Sequence, residues 1–370
     1  MNTRSQPSRI GIIANPVSAR DVRRILSNAA GLTLAERTNM LLRIIHTLAA
    51  CAVEEILLMP EREGLRALLE RQLQRHDQHH SHPLPTLIWL DQPVSGSVHD
   101  TFTAAETMHR HGVAAIMVLG GDGTHRAVVK NCADTPIAGI SSGTNNAFPP
   151  MREVTVTALA VGLFATGHIP PHTALRSNKC LCIKRFDTAR TLIQQDLALV
   201  DVGILNEQIL GAKAIGDTET LRTILVTQAS PEAVGLSAVA AMLSPLPRHA
   251  PGGLVVELQP KIGSNAAPDA VPHTLLAAFS PGLIAPLQVL SWQTLTDTPY
   301  RLSGQNGLIA LDGERELSFR DTDTIEISLQ EQAFRTVDVA ACMAYAAAEH
   351  LLFNPSSQGR LEPSPKGEAP

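Results

Sequence analysis

The chain has 370 residues, of which 44% are hydrophobic and 18% charged, enough to bury a substantial core and more than one domain. A formal net charge of −5 gives no electrostatic reason to bind nucleic acid or an anionic membrane surface, so any phosphate-handling site must be local. The first apolar run is too short for a signal peptide and no later window makes a membrane span, which reads as a cytoplasmic protein without membrane insertion. The five cysteines (Cys51, Cys132, Cys180, Cys182, Cys342) are odd in number and contain no C-x-x-C pair, which fits reduced thiols and no metal site.

In chain order, RIGIIA (9–14) reads as a short apolar strand closed by Asn15-Pro16, and 34–51 carries apolar residues at helical spacing. EEILLMP is a strand, EREGLRALLERQLQR a helix and LPTLIWLD a strand; 97–111 is a helix opened by a Ser97 cap, and 113–119 a further strand. Thr124 to Cys132 is helical, PIAGIS a strand and 153–166 a helix. Continuously apolar strands alternating with helices predict a mainly parallel sheet covered on both faces, with ligands at the carboxyl ends of its strands.

After about residue 175 the texture changes to strand-like segments separated by Gly, Pro and Asp turns, with one helical pattern at 232–243. The expected division is an α/β domain over 1–170, a β-rich domain over 171–335, a helix over 336–352 returning to the first domain, and a disordered tail over 353–370.

Chemistry concentrates in three loops that each follow an apolar strand. Gly120-Gly121-Asp122-Gly123-Thr124 puts one carboxylate among glycines between a strand and a helix. Glycine lets the chain turn sharply and lets a phosphate approach the backbone N–H groups, while Asp122 can take a proton from a hydroxyl or hold Mg²⁺. Gly-Asp-Gly alone is equally the sequence of a tight turn. The companions are Asn15 with Ser18 in NPVS, and Gly143-Thr144-Asn145-Asn146. In a parallel sheet all three loops converge on one edge.

N-P-x-S, then G-G-D-G-T, then G-x-x-x-G-T-N-N resemble the motifs of the ATP-NAD kinase superfamily, which includes diacylglycerol and sphingosine kinases, and most closely its branch associated with acetoin catabolism. The resemblance covers roughly residues 9–167 well and the β-rich half only in texture. It implies an NAD kinase/diacylglycerol kinase-like fold, with a parallel α/β domain followed by a β-sandwich-like domain. It also implies a homo-oligomer, with ATP, Mg²⁺ and a small-molecule nucleotide as partners. Asp122 would then be the base that activates the 2′-hydroxyl of NAD, and the glycines and Thr124 would hold phosphates.

Two departures bear on the acceptor. The Asn-acid pair that grips the dinucleotide in NAD kinases has two partial equivalents, Asp201 preceded by Val200, and Asn206-Glu207. Asp312-Gly313-Glu314 resembles the D-G-E of bacterial diacylglycerol kinases and is equally a hairpin turn. A lipid or polyol kinase and a non-catalytic NAD(H)- or ATP-binding regulator are therefore alternative readings. His125 either meets a phosphate or points to solvent. The histidine cluster His76, His79, His80, His82 reads as an exposed loop, and Arg20, Arg23 and Arg24 as a solvated helix face or phosphate ligands.

Overall fold

A computed structural model describes residues 7–14, 32–76, 83–141, 146–206, 219–259, 273–280 and 282–353, the side chains of 75–76 and 314–316 excepted. The first part alternates: β1 (Arg9–Ala14), α1 (Leu34–Ala50), β2 (Glu55–Leu58), α2 (Leu65–His76), β3 (Thr86–Trp89), α3 (Val98–Arg110), β4 (Ala115–Gly120), α4 (Asp122–Asn131), β5 (Ile137–Ser141), α5 (Val154–Ala165). The five strands are parallel, in the order β3-β2-β1-β4-β5.

Their continuous apolar character follows from burial on both faces. Ile10, Ile12, Ile56 and Met117 pack under α1, α2 and α5 on one side. Ile13, Leu57, Ile116 and Val118 pack under α3 and α4 on the other. Local signals set the helix starts. Thr33 and Glu36 form a reciprocal capping box at α1, and Ser97 accepts from the His99 amide at α3. Gly162 lets α5 approach α1 closely, since a Cβ there would lie 2.7 Å from Cys51 Sγ.

The rest comprises α6 (Pro171–Ala174), β6 (Leu175–Phe186), β7 (Leu192–Ala198), β8 (Asp201–Leu205), β9 (Leu221–Val226), α7 (Leu236–Leu243), β10 (Gly253–Leu258), β11 (His273–Ser280), β12 (Leu283–Leu295), β13 (Tyr300–Leu302), β14 (Gly307–Leu311), β15 (Glu314–Phe319), β16 (Thr324–Val337) and α8 (Val339–Ala348). An antiparallel sheet in the order β11-β12-β10-β9-β8-β14-β15 forms one layer. Its inner face (Val202, Ile204, Leu225, Ile309) packs on Leu181, Ile183, Ile325 and Ile327 of β6 and β16, giving a β-sandwich-like second half. The outer face is closed by Val239 and Ala240 of α7.

The limit drawn at residue 170 falls between α5 and α6, yet the first sheet runs across it. Its order continues β5-β16-β6-β7, with β13 paired to β16, so four strands from the second half extend the first sheet. Composition registers the switch from parallel to antiparallel strands but not which sheet a strand joins. Val339, Cys342 and Ala346 of α8 enter the core that holds α1 and α5. All five cysteines are buried and free. No helix among the described residues is long and apolar enough to cross a membrane.

Candidate functional site

All six residues of β4 are buried, and the strand stops at Gly120 because α4 starts two residues later with Gly121 as its N-cap. Neither glycine has a positive φ. Their smallness serves close approach instead. A Cβ on Gly120 would lie 2.6 Å from Thr124 Cβ, and one on Gly121 3.1 Å from Asn146 Oδ1. Thr124 is buried with its side chain folded back on Gly120, so its position is set by packing. Gly123 lies in the first turn of α4.

Asp122 is only 6% exposed. Its Oδ2 accepts from the Ala147 amide at 2.9 Å and its Oδ1 from the Phe148 amide at 3.0 Å. The carboxylate thus clasps the segment that follows the third sequence motif, and Asn146 Nδ2 donates to Ser141 Oγ at 2.8 Å. Asp122 and Asn146, the described residue of the third motif, do meet at one sheet edge. Asn15 and Ser18 of the first motif lie outside the described residues, as do Gly143, Thr144, Asn145, Glu207, the Glu314 side chain, Arg20, Arg23, Arg24, the His76 side chain and His79, His80 and His82.

A second clasp repeats the arrangement in the other sheet. Asp312, at φ +50°, accepts from the Val200 amide at 2.8 Å, from Leu199 at 3.0 Å and from Asp201 at 3.3 Å, while its own amide donates to the Asp201 carbonyl at 2.9 Å. Burial pushes its carboxyl above the ordinary range, opposed by the Arg126 charge and by these amides. Asp201 therefore sits beside Asp312, whereas Asn206 lies at the other end of β8, roughly 15 Å along the strand, its amide donating to Thr220.

Several residues without a motif signal join the clasps. Arg126 Nη1 donates to the Leu311 carbonyl at 3.1 Å, tying α4 to the Asp312 turn. Its spacing of four from Asp122 puts both on one helix face, a signal available in the sequence. Gln228 Nε2 donates to the Ala147 carbonyl and Thr227 Oγ1 to that of Leu199, so the exit of β9 bridges the two clasps. Arg248 donates from Nε to Asn178 Oδ1 at 2.8 Å and from Nη1 to the Phe148 carbonyl at 2.9 Å, with its guanidinium 4.0 Å from the Phe148 ring centroid. Burial, aided by Arg152, pushes it down to about 10.

His125 corrects the expectation drawn from its position. It meets neither a phosphate nor solvent: it is fully buried, and Nδ1 donates to the Gly121 carbonyl at 2.8 Å. Its ring is opposed by Gly139, where a Cβ would lie 2.8 Å from Nε2. Burial holds the imidazole down to about 4.

Beside these elements lies a cavity of about 500 Å³, walled by Asn146, Phe148, Met151, Gln228, Leu246 and Arg248 among others, with no Asp or Glu among the described residues that line it. Asp122 stands one hydrogen bond behind that wall. No three His, Cys, Asp or Glu side chains cluster among the described residues.

Residues 10–169 match the family model of the ATP-NAD kinase N-terminal domain, and residues 179–332 that of the acetoin catabolism protein X C-terminal domain. Acetoin catabolism protein X of Cupriavidus necator (strain H16) is 49% identical over 344 residues, covering 93% of each chain. The chain belongs to the acetoin catabolism protein X family. Among solved structures, yeast NADH kinase complexed with NADH is similar at a TM-score of 0.47 with 13% identity, over 95% of this chain and 90% of that one. A putative diacylglycerol kinase from Bacillus anthracis str. Sterne gives 0.44 and 12%, over 90% and 98%. For this member of the acetoin catabolism protein X family, the NAD kinase-like fold rests on the family model together with the parallel sheet, the helix opening at Asp122 and the sandwich behind them.

Proposed function

We propose that the chain is an ATP-dependent phosphotransferase that acts on a nucleotide, with the 2′-hydroxyl of NAD as acceptor. The observation that supports this reading is the Asp122 carboxyl group held in place at the carboxyl end of β4 and the N-terminus of α4. In this reading Asp122 takes the acceptor proton as the hydroxyl oxygen attacks the γ-phosphorus, a new P–O bond forms, the bond to ADP breaks and ADP leaves. Phosphoryl transfer asks the protein mainly for positioning and charge stabilisation, and the backbone amides of the glycine loops supply both.

The donor set fits a Mg²⁺ that arrives on the nucleotide's phosphates, since no three His, Cys, Asp or Glu side chains cluster among the described residues, and Asp122 would be its carboxylate ligand. When bound, the ion supplies neutralisation of the phosphate charge. Asn15, Ser18, Gly143, Thr144 and Asn145 are proposed as phosphate ligands, and Asp201 with Asp312 as the acceptor-side acids, in preference to Asn206. A cytoplasmic homo-oligomer belongs to the same proposal.

One observation favours a second reading, a nucleotide-binding regulator. Both Asp122 oxygens already hold backbone amides, and the carboxylate lies behind the cavity wall. Purified protein with ATP, Mg²⁺ and NAD separates the two. Chromatographic detection of NADP, abolished by Asp122→Asn with nucleotide binding retained, supports the phosphotransferase. Nucleotide binding by calorimetry without NADP overturns it and leaves the regulator; absence of both removes both.

A further inference from the structure

Arg248 commits two of its three guanidinium nitrogens inside the protein, Nε to Asn178 and Nη1 to the Phe148 carbonyl. Nη2 has no partner among the described residues, and Arg248 lines the 500 Å³ cavity. The guanidinium carbon sits 4.0 Å over the Phe148 ring, and with Nε and Nη1 both bonded its planar fork has a fixed direction. An arginine pinned at two nitrogens and open at the third is organised for an oxyanion before the ligand arrives.

The charge around it is unbalanced. Arg152 adds a second positive charge, and of the two acids whose charges reach Arg248, neither is uncommitted. Asp122 is bonded to the Ala147 and Phe148 amides, and Asp338 both caps α8 through the Ala341 amide and pairs with Arg176 at 3.2 Å. Among the described residues no carboxylate lines the cavity to repel an anion. Its other walls are largely apolar, including Pro149, Pro231, Pro245, Met151 and Leu246, and its volume falls in the range of small-molecule sites.

We propose that this cavity recognises a small organic anion with an apolar body, and that Arg248 is the residue that selects for the charge. As a binding site it stands independently of the phosphotransferase reading. Free carboxylates and phosphate monoesters share the oxyanion chemistry.

The test is calorimetry on the purified full chain with three probes of matched chain length: butyrate, butyl phosphate and n-butanol. The expected result is binding of one or both anions at millimolar concentration, with n-butanol at least about tenfold weaker. Arg248→Gln should lower anion affinity by at least about tenfold, and Arg248→Lys, which keeps the charge and loses the fork, should fall between. Comparing the two anions shows which oxyanion is preferred. Equal binding of n-butanol, no binding of either anion, or undiminished binding by a folded Arg248→Gln overturns the proposal; the probe comparison needs no variant if that one fails to fold. NADP formation without anion binding removes this inference and leaves the phosphotransferase reading, whereas anion binding without NADP formation does the reverse.

Discussion

Arg126 donates to the carbonyl of Leu311, a residue 185 positions further along the chain, and so fastens the helix of the G-G-D-G-T segment to the turn that holds Asp312. The contact links a parallel α/β element to an antiparallel one, and its charge is also what favours the ionised form of the buried Asp312. Arg126→Met should therefore raise the Asp312 pKa further. A raised folded pKa means that the folded state holds its proton to higher pH than the unfolded chain, so stability is lost as pH rises through that window. Urea melts should show the variant more destabilised at pH 7 than at pH 4, and Asp312→Asn in the same background should remove most of that difference.

His125 gives the opposite sign. Its imidazole titrates near 4 in the folded chain and near 6.5 when unfolded. The unfolded state binds the extra proton between those values, so stability is complete above about 6.5 and declines as pH falls toward 4, by up to about 3 kcal/mol. Equilibrium melts of His125→Phe should lack this share of the acid sensitivity while the wild type keeps it.

Gly139 and His125 should behave as a coupled pair. An added methyl at 139 meets the imidazole at 2.8 Å, and overpacking of this kind costs about 1–3 kcal/mol. In a double-mutant cycle, Gly139→Ala should cost much less beside His125→Ala than alone. Additive costs would show that the crowding lies elsewhere.

Asp122→Ala strips the partner from two amides in one stroke. A buried donor left without an acceptor costs about 1–3 kcal/mol, and two neighbours share the loss here. Hydrogen exchange should accelerate at Ala147 and Phe148 specifically, with little change along β1 or β2. Unchanged exchange at both amides would show that another group holds that segment.

The parallel half was legible because burial on both faces writes itself as unbroken apolar runs, as in AIMVLG of β4. The convergence of Asp122 with Asn146 followed from strand direction alone. The contacts that complete the site were not legible, since Phe148 and Arg248 are 100 residues apart and PLPRHAP carries no periodicity. His125 was misread because position after a glycine loop suggests exposure, whereas its helix face turns to the sheet; the glycine that admits it, Gly139, lies on a neighbouring strand. The glycines were expected to provide a sharp turn, and they provide room for Thr124 and Asn146.

The placement of β16 between β5 and β6 governs the order of assembly during synthesis. β5 meets its neighbour through Thr336 and Ile137, and Val337, Val339 and Cys342 then complete the core beneath α1 and α5. A ribosome must emit nearly the whole chain before that edge is capped. The glycine-loop half emerges early with an open strand edge, a condition that slows folding and invites mispairing.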